Sequence, residues 1–371
     1  MELSYEEIKA STNGFSLQQL IGKGSHGRVY RGTLDRGKRA VAVKKPTEGP
    51  RSTTGEPPKL DNEIDILLSI RNPNLVNLVG TCCRDNADGQ GKEKLLVTEF
   101  MPNGSLHSLL HSSPPPRPPP SWPRRMLIAL QVALAALSLH EAEPRPIVHR
   151  DIKSANVLFD RRWNARLGDF SLAARVAERG SGAAPAPAGT LGYLDPRYTT
   201  PERLGPENDV FSFGVVLLEL LSSTRAMETD REPASVVAWA VPMIRGGRGA
   251  SVCDCRVELR GKMGRLVGRV LAVAERCVSG REERRPTMAE VVGELRGVVE
   301  CLWWRPTWGC LRSEASASVL HQCIRAWKRC NKKRVTKKIV CKVDSGSSDD
   351  DGGGGGGGGG GVERNELHDE F

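Results

Sequence analysis

The chain has 371 residues, with 54 Lys and Arg against 44 Asp and Glu for a net charge of +10, a length that exceeds one typical core and suits two lobes with extensions. No apolar run reaches the roughly 18 residues of a membrane span, since the stretch Val210 to Leu221 is short and holds Glu219, and the ten cysteines form no zinc-like C-x-x-C pairs. Met1-Glu2-Leu3-Ser4 lacks a signal-peptide pattern and has Glu2 where myristoylation requires glycine, which sets the expectation of a cytoplasmic chain whose cysteines are mostly free thiols.

After a lead-in over residues 1–14, residues 15–101 are predicted as a strand-rich lobe carrying one helix. The runs Val29-Tyr30-Arg31-Gly32 and Ala40-Val41-Ala42-Val43-Lys44 flank the turn Asp35-Arg36-Gly37-Lys38, which is a hairpin signal. Ile21-Gly22-Lys23-Gly24-Ser25-His26-Gly27-Arg28-Val29 leads into it and follows the pattern G-x-G-x-x-G-x-V. In that pattern the glycines let the backbone turn tightly and bring N–H groups close to phosphate oxygens. Alone the match also describes an ordinary glycine-rich turn or a dinucleotide site. A dinucleotide fingerprint opens a helix, however, and this one opens a hairpin. Lys44, at the end of its strand, is the candidate contact to the α- and β-phosphates. Pro46 to Lys59 reads as a loop into a helix where Leu60, Ile64, Leu67 and Leu68 recur at helical spacing. Glu63 lies at the edge of that face and is the candidate ion-pair partner of Lys44; the alternative is an exposed glutamate worth tenths of a kcal/mol.

Residues 102–300 are predicted as helical. Pro114-Pro115-Pro116-Arg117-Pro118-Pro119-Pro120 is extended polyproline structure, a spacer or a docking segment. Ser121-Trp122-Pro123 starts a helix in which Leu127, Leu130, Leu134 and Leu137 repeat. The most informative segment comes next, His149-Arg150-Asp151-Ile152-Lys153-Ser154-Ala155-Asn156, with Asp169-Phe170 thirteen residues beyond Asn156. It assembles what phosphoryl transfer to a hydroxyl requires: positioning and charge neutralisation with little covalent help. Asp151 is the candidate base for the acceptor hydroxyl, Asn156 and Asp169 are candidate Mg²⁺ ligands, and Lys153 offsets charge on the transferred group.

With these motifs in this order, residues 4–300 resemble a eukaryotic protein kinase of the plant receptor-like and receptor-like cytoplasmic serine/threonine class. Narrower likenesses are Tyr5-Glu6-Glu7-Ile8 with Ser11-Thr12-Asn13-Gly14-Phe15-Ser16, the hinge-like Leu95-Leu96-Val97-Thr98-Glu99-Phe100-Met101-Pro102-Asn103-Gly104-Ser105-Leu106, and Gly189-Thr190-Leu191-Gly192-Tyr193-Leu194-Asp195-Pro196. The resemblance implies an α+β, bilobal protein kinase fold with an antiparallel-sheet N-lobe bearing one helix and a helical C-lobe. It implies ATP and Mg²⁺, protein substrates and a receptor kinase as partner. The backbone at Glu99 and Met101 would hydrogen-bond adenine, Thr98 would be the gatekeeper, and Ile21, Val29, Ala42 and Leu158 would sandwich the ring. Lys153 and Thr190 match the serine/threonine pattern, Asp209 resembles the aspartate that braces the catalytic loop, and Arg285 the late arginine of the large lobe.

Two departures stand out. The Asp-Phe-Gly element reads Asp169-Phe170-Ser171, and serine is penalised by about 1 kcal/mol wherever φ must be positive. The glutamate expected after Pro196 is Arg197, which repels Arg285 and leaves Glu202 or Asp195 as substitutes. Only Ser181 is an obvious phosphosite before Thr190, with Arg150 as the basic group on which a phosphate docks. Two functions follow: an active serine/threonine kinase, carried by Lys44, Asp151, Asn156 and Asp169, or a pseudokinase scaffold with weak nucleotide binding, motivated by Ser171 and Arg197.

Residues 301–371 lie outside the resemblance. From His321 to Val343 there are nine Lys or Arg and no acid, then ten glycines from Gly352 to Gly361 and an acidic end. The basic stretch, with Trp327, Cys323, Cys330 and Cys341, is a solvated tail, a contact to an anionic membrane or a segment that binds RNA nonspecifically. No nucleic-acid fold motif accompanies it, so no specific nucleic acid is expected.

Overall fold

The computed structural model describes residues 3–24, 27–35, 37–46, 59–85, 92–114, 117–176 and 185–303. Ser25, Ser181 and the basic stretch His321 to Val343 lie outside the described residues.

Helix α1 (Tyr5–Ser11) opens at Ser4, whose hydroxyl accepts from Glu7 N, a serine cap satisfying one of the free N–H groups of a first turn. Three strands follow, β1 (Leu20–Gly24), β2 (Gly27–Leu34) and β3 (Arg39–Lys45), then α2 (Lys59–Ser69), β4 (Leu78–Asp85) and β5 (Lys92–Glu99). The strands form one antiparallel sheet in the order β1-β2-β3-β5-β4. Strand alternation sends Val41 and Val43 of β3 and Leu95 and Val97 of β5 to one face, where they form a core with Leu34 and Val79. The lead-in joins this core: Leu3 and Ile8 pack into it, and burying a side chain such as Ile8 contributes about 1.5–3 kcal/mol. In α2, Leu60, Ile64 and Leu67 are buried as the spacing predicts, but Leu68 is 65% exposed and Ile66 is buried instead. One residue past Leu67 is a rotation of about 100°, which carries Leu68 off the buried stripe.

The second lobe contains α3 (Leu106–His111), α4 (Trp122–His140), the pair β6 (Ile147–Val148) with β9 (Ala174–Arg175), the hairpin β7 (Val157–Phe159) with β8 (Ala165–Leu167), and the helices α5 (Pro206–Ser222), α6 (Val236–Arg245), α7 (Gly261–Cys277) and α8 (Met288–Trp303). Helix α4 begins after Ser121 with Pro123 in its first turn. It is apolar on nearly every side and lies against both α5 and α8, as expected of a helix at the centre of a lobe.

Both departures from the kinase pattern are resolved by contacts. Arg285 does not face Arg197: its guanidinium makes a two-point pair with Asp195, Nη1 to Oδ2 at 2.5 Å and Nη2 to Oδ1 at 2.8 Å. The two side chains are 1% and 0% exposed. Asn208 Nδ2 also donates to Asp195 Oδ2 at 2.9 Å. The Arg197 side chain lies at the surface and only its N–H reaches Asp195, while Glu202 is exposed. The penalty at Ser171 does not arise either. The left-handed residue of the element is Asp169, φ 64°, and Ser171 is outside the left-handed region. Its side chain is buried and hydrogen-bonded to Asp169.

Asp195→Ala leaves the Arg285 charge buried without its carboxylate and is expected to cost about 3–5 kcal/mol in urea unfolding. Arg197→Ala stays within about 0.5 kcal/mol, and equal losses in the two variants would remove the Asp195 assignment. Ser171→Gly adds freedom to the unfolded chain without relieving strain, so it lowers stability by about 0.4–1 kcal/mol in the same assay. A gain would show that Ser171 is strained.

Candidate active site

The cleft between the lobes has a volume of about 790 Å³, within the range of about 300–1,000 Å³ that encloses small ligands. The face of the sheet opposite the apolar core looks into it. On β3, Ala42 and Lys44 alternate with Val41 and Val43, and on β5, Leu96 and Thr98 alternate with Leu95 and Val97. Strand pairing sets Ala42 opposite Thr98 and Lys44 opposite Leu96. Ile21, Gly22 and Gly24 of β1 and Gly27 and Val29 of β2 form the roof, Glu99 and Met101 the back, and Leu158 lines the opposite side. Gly27 is required here: its φ is +136°, and a Cβ would lie 2.4 Å from Lys45 O.

At the inner end, Lys44 Nζ donates to Glu63 Oε2 at 2.7 Å and to Asp169 Oδ1 at 3.0 Å. Glu63 is buried, and its Oε1 accepts from Phe170 N at 3.2 Å, so α2, β3 and the segment at Asp169 are joined at one ammonium group. Burial works against the Lys44 charge, but the carboxylates of Glu63 and Asp169 outweigh it and hold the ammonium above its ordinary range. Burial likewise pushes the Asp169 carboxyl up. Lys44 and the Ser171 hydroxyl overcome this and bring it to about 2, so Asp169 is an anion at neutral pH.

The loop His149 to Asn156 is held from beneath by Asp209 at the start of α5, which accepts from His149 N at 2.7 Å and Arg150 N at 2.9 Å. His140 Nε2 lies 3.0 Å from the same carboxylate. Burial opposes the Asp209 charge, and the contacts with His140 and His149 keep its carboxyl below the ordinary range. Asp151 is thereby presented with defined neighbours. Thr190 Oγ1 donates to its Oδ1 at 2.6 Å, Lys153 Nζ to its Oδ2 at 2.7 Å and Asn156 Nδ2 to its Oδ2 at 3.0 Å. Lys153 Nζ also reaches Thr190 Oγ1 at 2.8 Å. The Asn156 amide nitrogen is thus committed to Asp151, and the amide oxygen is the atom it can offer a cation. An amide oxygen beside the Asp169 carboxylate is a hard donor set that fits Mg²⁺. Arg150 is engaged by main chain, donating to Leu172 O at 3.1 Å and to Ala186 O.

All the sequence-predicted site residues that are described line this one cleft: Ile21, Gly22, Gly24, Gly27, Val29, Ala42, Lys44, Glu63, Thr98, Glu99, Met101, Asp151, Lys153, Asn156, Leu158 and Asp169. Sequence reasoning missed Val76, Leu96, Gly104, Ser105 and Ser108, which also line it. The hinge-like stretch Leu95 to Leu106, which holds Leu96, Gly104 and Ser105, was the one signal available, and Val76 and Ser108 carry none as letters.

Comparison with known proteins agrees with this geometry. Residues 15–294 match the protein kinase domain. A serine/threonine-protein kinase-like protein of Arabidopsis thaliana is 43% identical over 325 residues, covering 85% of this chain and 67% of its own length. A second protein of that description from the same plant is 44% identical over 306 residues, covering 80% and 79%. Wall-associated receptor kinase-like 21 of Arabidopsis thaliana is 37% identical over 302 residues, which are 80% of this chain but 47% of that protein. The chain belongs to the eukaryotic protein kinase family, in its plant receptor-like serine/threonine class.

Proposed function

We propose that the chain is an active serine/threonine protein kinase that transfers the γ-phosphoryl group of ATP to protein hydroxyls. The observation that carries this is the Asp151 carboxylate, held by Thr190, Lys153 and Asn156 in the cleft where Lys44 is paired with Glu63 and Asp169. In this reading Asp151 accepts the proton of the acceptor hydroxyl and Lys153 offsets the charge that builds on the transferred group. Lys44 orients the α- and β-phosphates. The backbone of Glu99 and Met101 and the apolar side chains of Ile21, Val29, Ala42 and Leu158 orient the adenine, with Thr98 as gatekeeper; Gly22, Gly24 and Gly27 let the roof approach the phosphates. Mg²⁺, when held by Asp169 and the Asn156 amide oxygen, neutralises phosphate charge. The scaffold alternative rested on Ser171 and Arg197. Both have compensating contacts, which favours the active reading.

Relatives named as receptor kinases support a receptor kinase as partner. The charge of 321–343 supports contact with an anionic membrane.

Purified full chain with Mg-ATP is expected to autophosphorylate on serine and threonine, read by phosphoamino-acid analysis. Asp151→Asn should lower the transfer rate by about 10²–10⁴ while nucleotide binding persists, the range contributed by a positioned base. Lys44→Met should also abolish transfer. Wild-type turnover in Asp151→Asn, or predominant phosphotyrosine, would refute the assignment. For the basic stretch, the full chain should sediment with phosphatidylserine vesicles in low salt and be released by high salt, whereas a chain ending at Glu300 stays in solution. Equal pelleting of the two chains removes the stretch from membrane binding.

A further inference from the structure

Away from the cleft, α3 and α5 bring together side chains that phosphoryl transfer does not use. His107 and His111 are four residues apart on α3, a spacing that sets both imidazoles on one face, and their ring centroids lie 5.0 Å apart. Glu219 of α5 faces them. His111 Nε2 is 2.6 Å from Glu219 Oε1, and the two side chains are 3% and 1% exposed. Among the described residues this is the one group of three His, Cys, Asp or Glu side chains in which a ligand atom from each lies within 4.8 Å of the others.

A carboxylate buried in an apolar helix must find polar partners, and Glu219 has them without any ion. Ser154 Oγ donates to its Oε1 at 2.8 Å and Tyr193 OH to its Oε2 at 2.7 Å. That account leaves His107 unexplained, because Glu219 is satisfied without it. Yet the His107 ring turns inward, with Nδ1 3.4 Å from Ser154 Oγ, the limit of hydrogen bonding. His107 is also the exposed member of the group, and so provides an entry path.

We propose that His107, His111 and Glu219 form a Zn²⁺ site, with two imidazole nitrogens and one carboxylate oxygen as ligands and the fourth position open to solvent beside His107. This donor set is one that zinc accepts when three protein ligands leave a position free. Imidazole selects the borderline transition metals over Mg²⁺ and Ca²⁺, which take oxygen. Zinc–ligand distances of about 2.0–2.2 Å in a tetrahedron put donor atoms about 3.3 Å apart. His111 and Glu219, 2.6 Å apart, therefore separate by less than about 1 Å, and the other ligand atoms, all within 4.8 Å of one another, close by at most about 1.5 Å. Tyr193 retains its bond to the second carboxylate oxygen. The site ties α3 to α5 next to Ser154, whose hydroxyl donates to Glu219 Oε1 at 2.8 Å.

The test is titration of Zn²⁺ into the full chain, stripped with EDTA and dialysed, followed by calorimetry and by thermal unfolding. One tight equivalent is expected, weakened at least about 10-fold, or 1.4 kcal/mol, in His107→Ala and in His111→Ala. Zinc should raise Tm in the wild type and not in His107→Ala, whose Tm without metal equals that of the wild type because the residue is exposed. Co²⁺ in place of Zn²⁺ should give the absorption of a nitrogen–oxygen tetrahedral site without thiolate charge-transfer bands, which separates this group from the ten cysteines. Unchanged zinc affinity in His107→Ala, or cobalt spectra dominated by thiolate, overturns the proposal.

Discussion

One buried carboxylate, that of Asp209, holds the loop His149 to Asn156 in a conformation its residues would not adopt alone. Arg150 has φ 67°, and a non-glycine residue in the left-handed region costs about 1–2 kcal/mol. Asp209, fully buried at the start of α5, accepts from the main-chain N–H of both His149 and Arg150. A hydrogen bond to a charged group contributes about 1.5–3 kcal/mol, so the two outweigh the strain at Arg150. With the turn fixed, the Arg150 guanidinium meets the carbonyls of Leu172 and Ala186 and the next residue, Asp151, meets Thr190 and Lys153. The geometry of the proposed base is therefore set on a helix whose interior is almost wholly apolar and packed.

The group at Lys44 works by another logic. Charges taken out of water recover little net stability, and apolar residues of the same volume often hold a fold as well. What the ammonium group provides is direction. It fixes Glu63, 19 residues away in sequence, and Asp169, 125 residues away, and Glu63 in turn fixes the backbone at Phe170. Glu63 therefore couples the position of α2 to that of Asp169, and displacement of the helix would leave Lys44 with one carboxylate instead of two. The Asp169 carboxyl, near 2 in this setting, remains available to a cation over the whole physiological range.

What the sequence disclosed follows from how narrowly each position is constrained. Residues whose chemistry fixes both type and spacing stand out as letters, and Asp151, Lys153, Asn156, Asp169, Lys44 and the glycines of the roof line one cleft. The bilobal arrangement was legible because the period-two runs at Val29 and Val41 give way to helical spacing after Ser121. Residues whose role depends on packing were not. Val76, in the segment before β4, and Leu96 of β5 line the cleft, but as letters nothing separates them from other apolar residues that face the core. Leu68 looked like part of the buried stripe of α2 and lies outside it. Glu219 read as an interruption in an apolar helix because its partners, His111 and Ser154, are 108 and 65 residues away.

Arg197 illustrates the difference between reading a motif as letters and reading it as a constraint. Taken as letters, an arginine where a glutamate is expected predicts repulsion of Arg285, with Glu202 or Asp195 as its substitute partner. The constraint is that a buried guanidinium must meet a carboxylate, since an unpaired charge there costs several kcal/mol. Arg285 remains buried, so some carboxylate within reach has to be taken inside. Glu202 is attached to a short exposed turn, whereas Asp195 is already anchored by Asn208 and by the N–H of Arg197. The residue that departs from the pattern thus supplies, through its main chain, one of the hydrogen bonds that seat its replacement. The same short segment carries Thr190 to Asp151 and Tyr193 to Glu219. An error at Asp195 would therefore propagate to the proposed base, and the segment tolerates a changed side chain at 197 because the burial requirement is met two residues earlier.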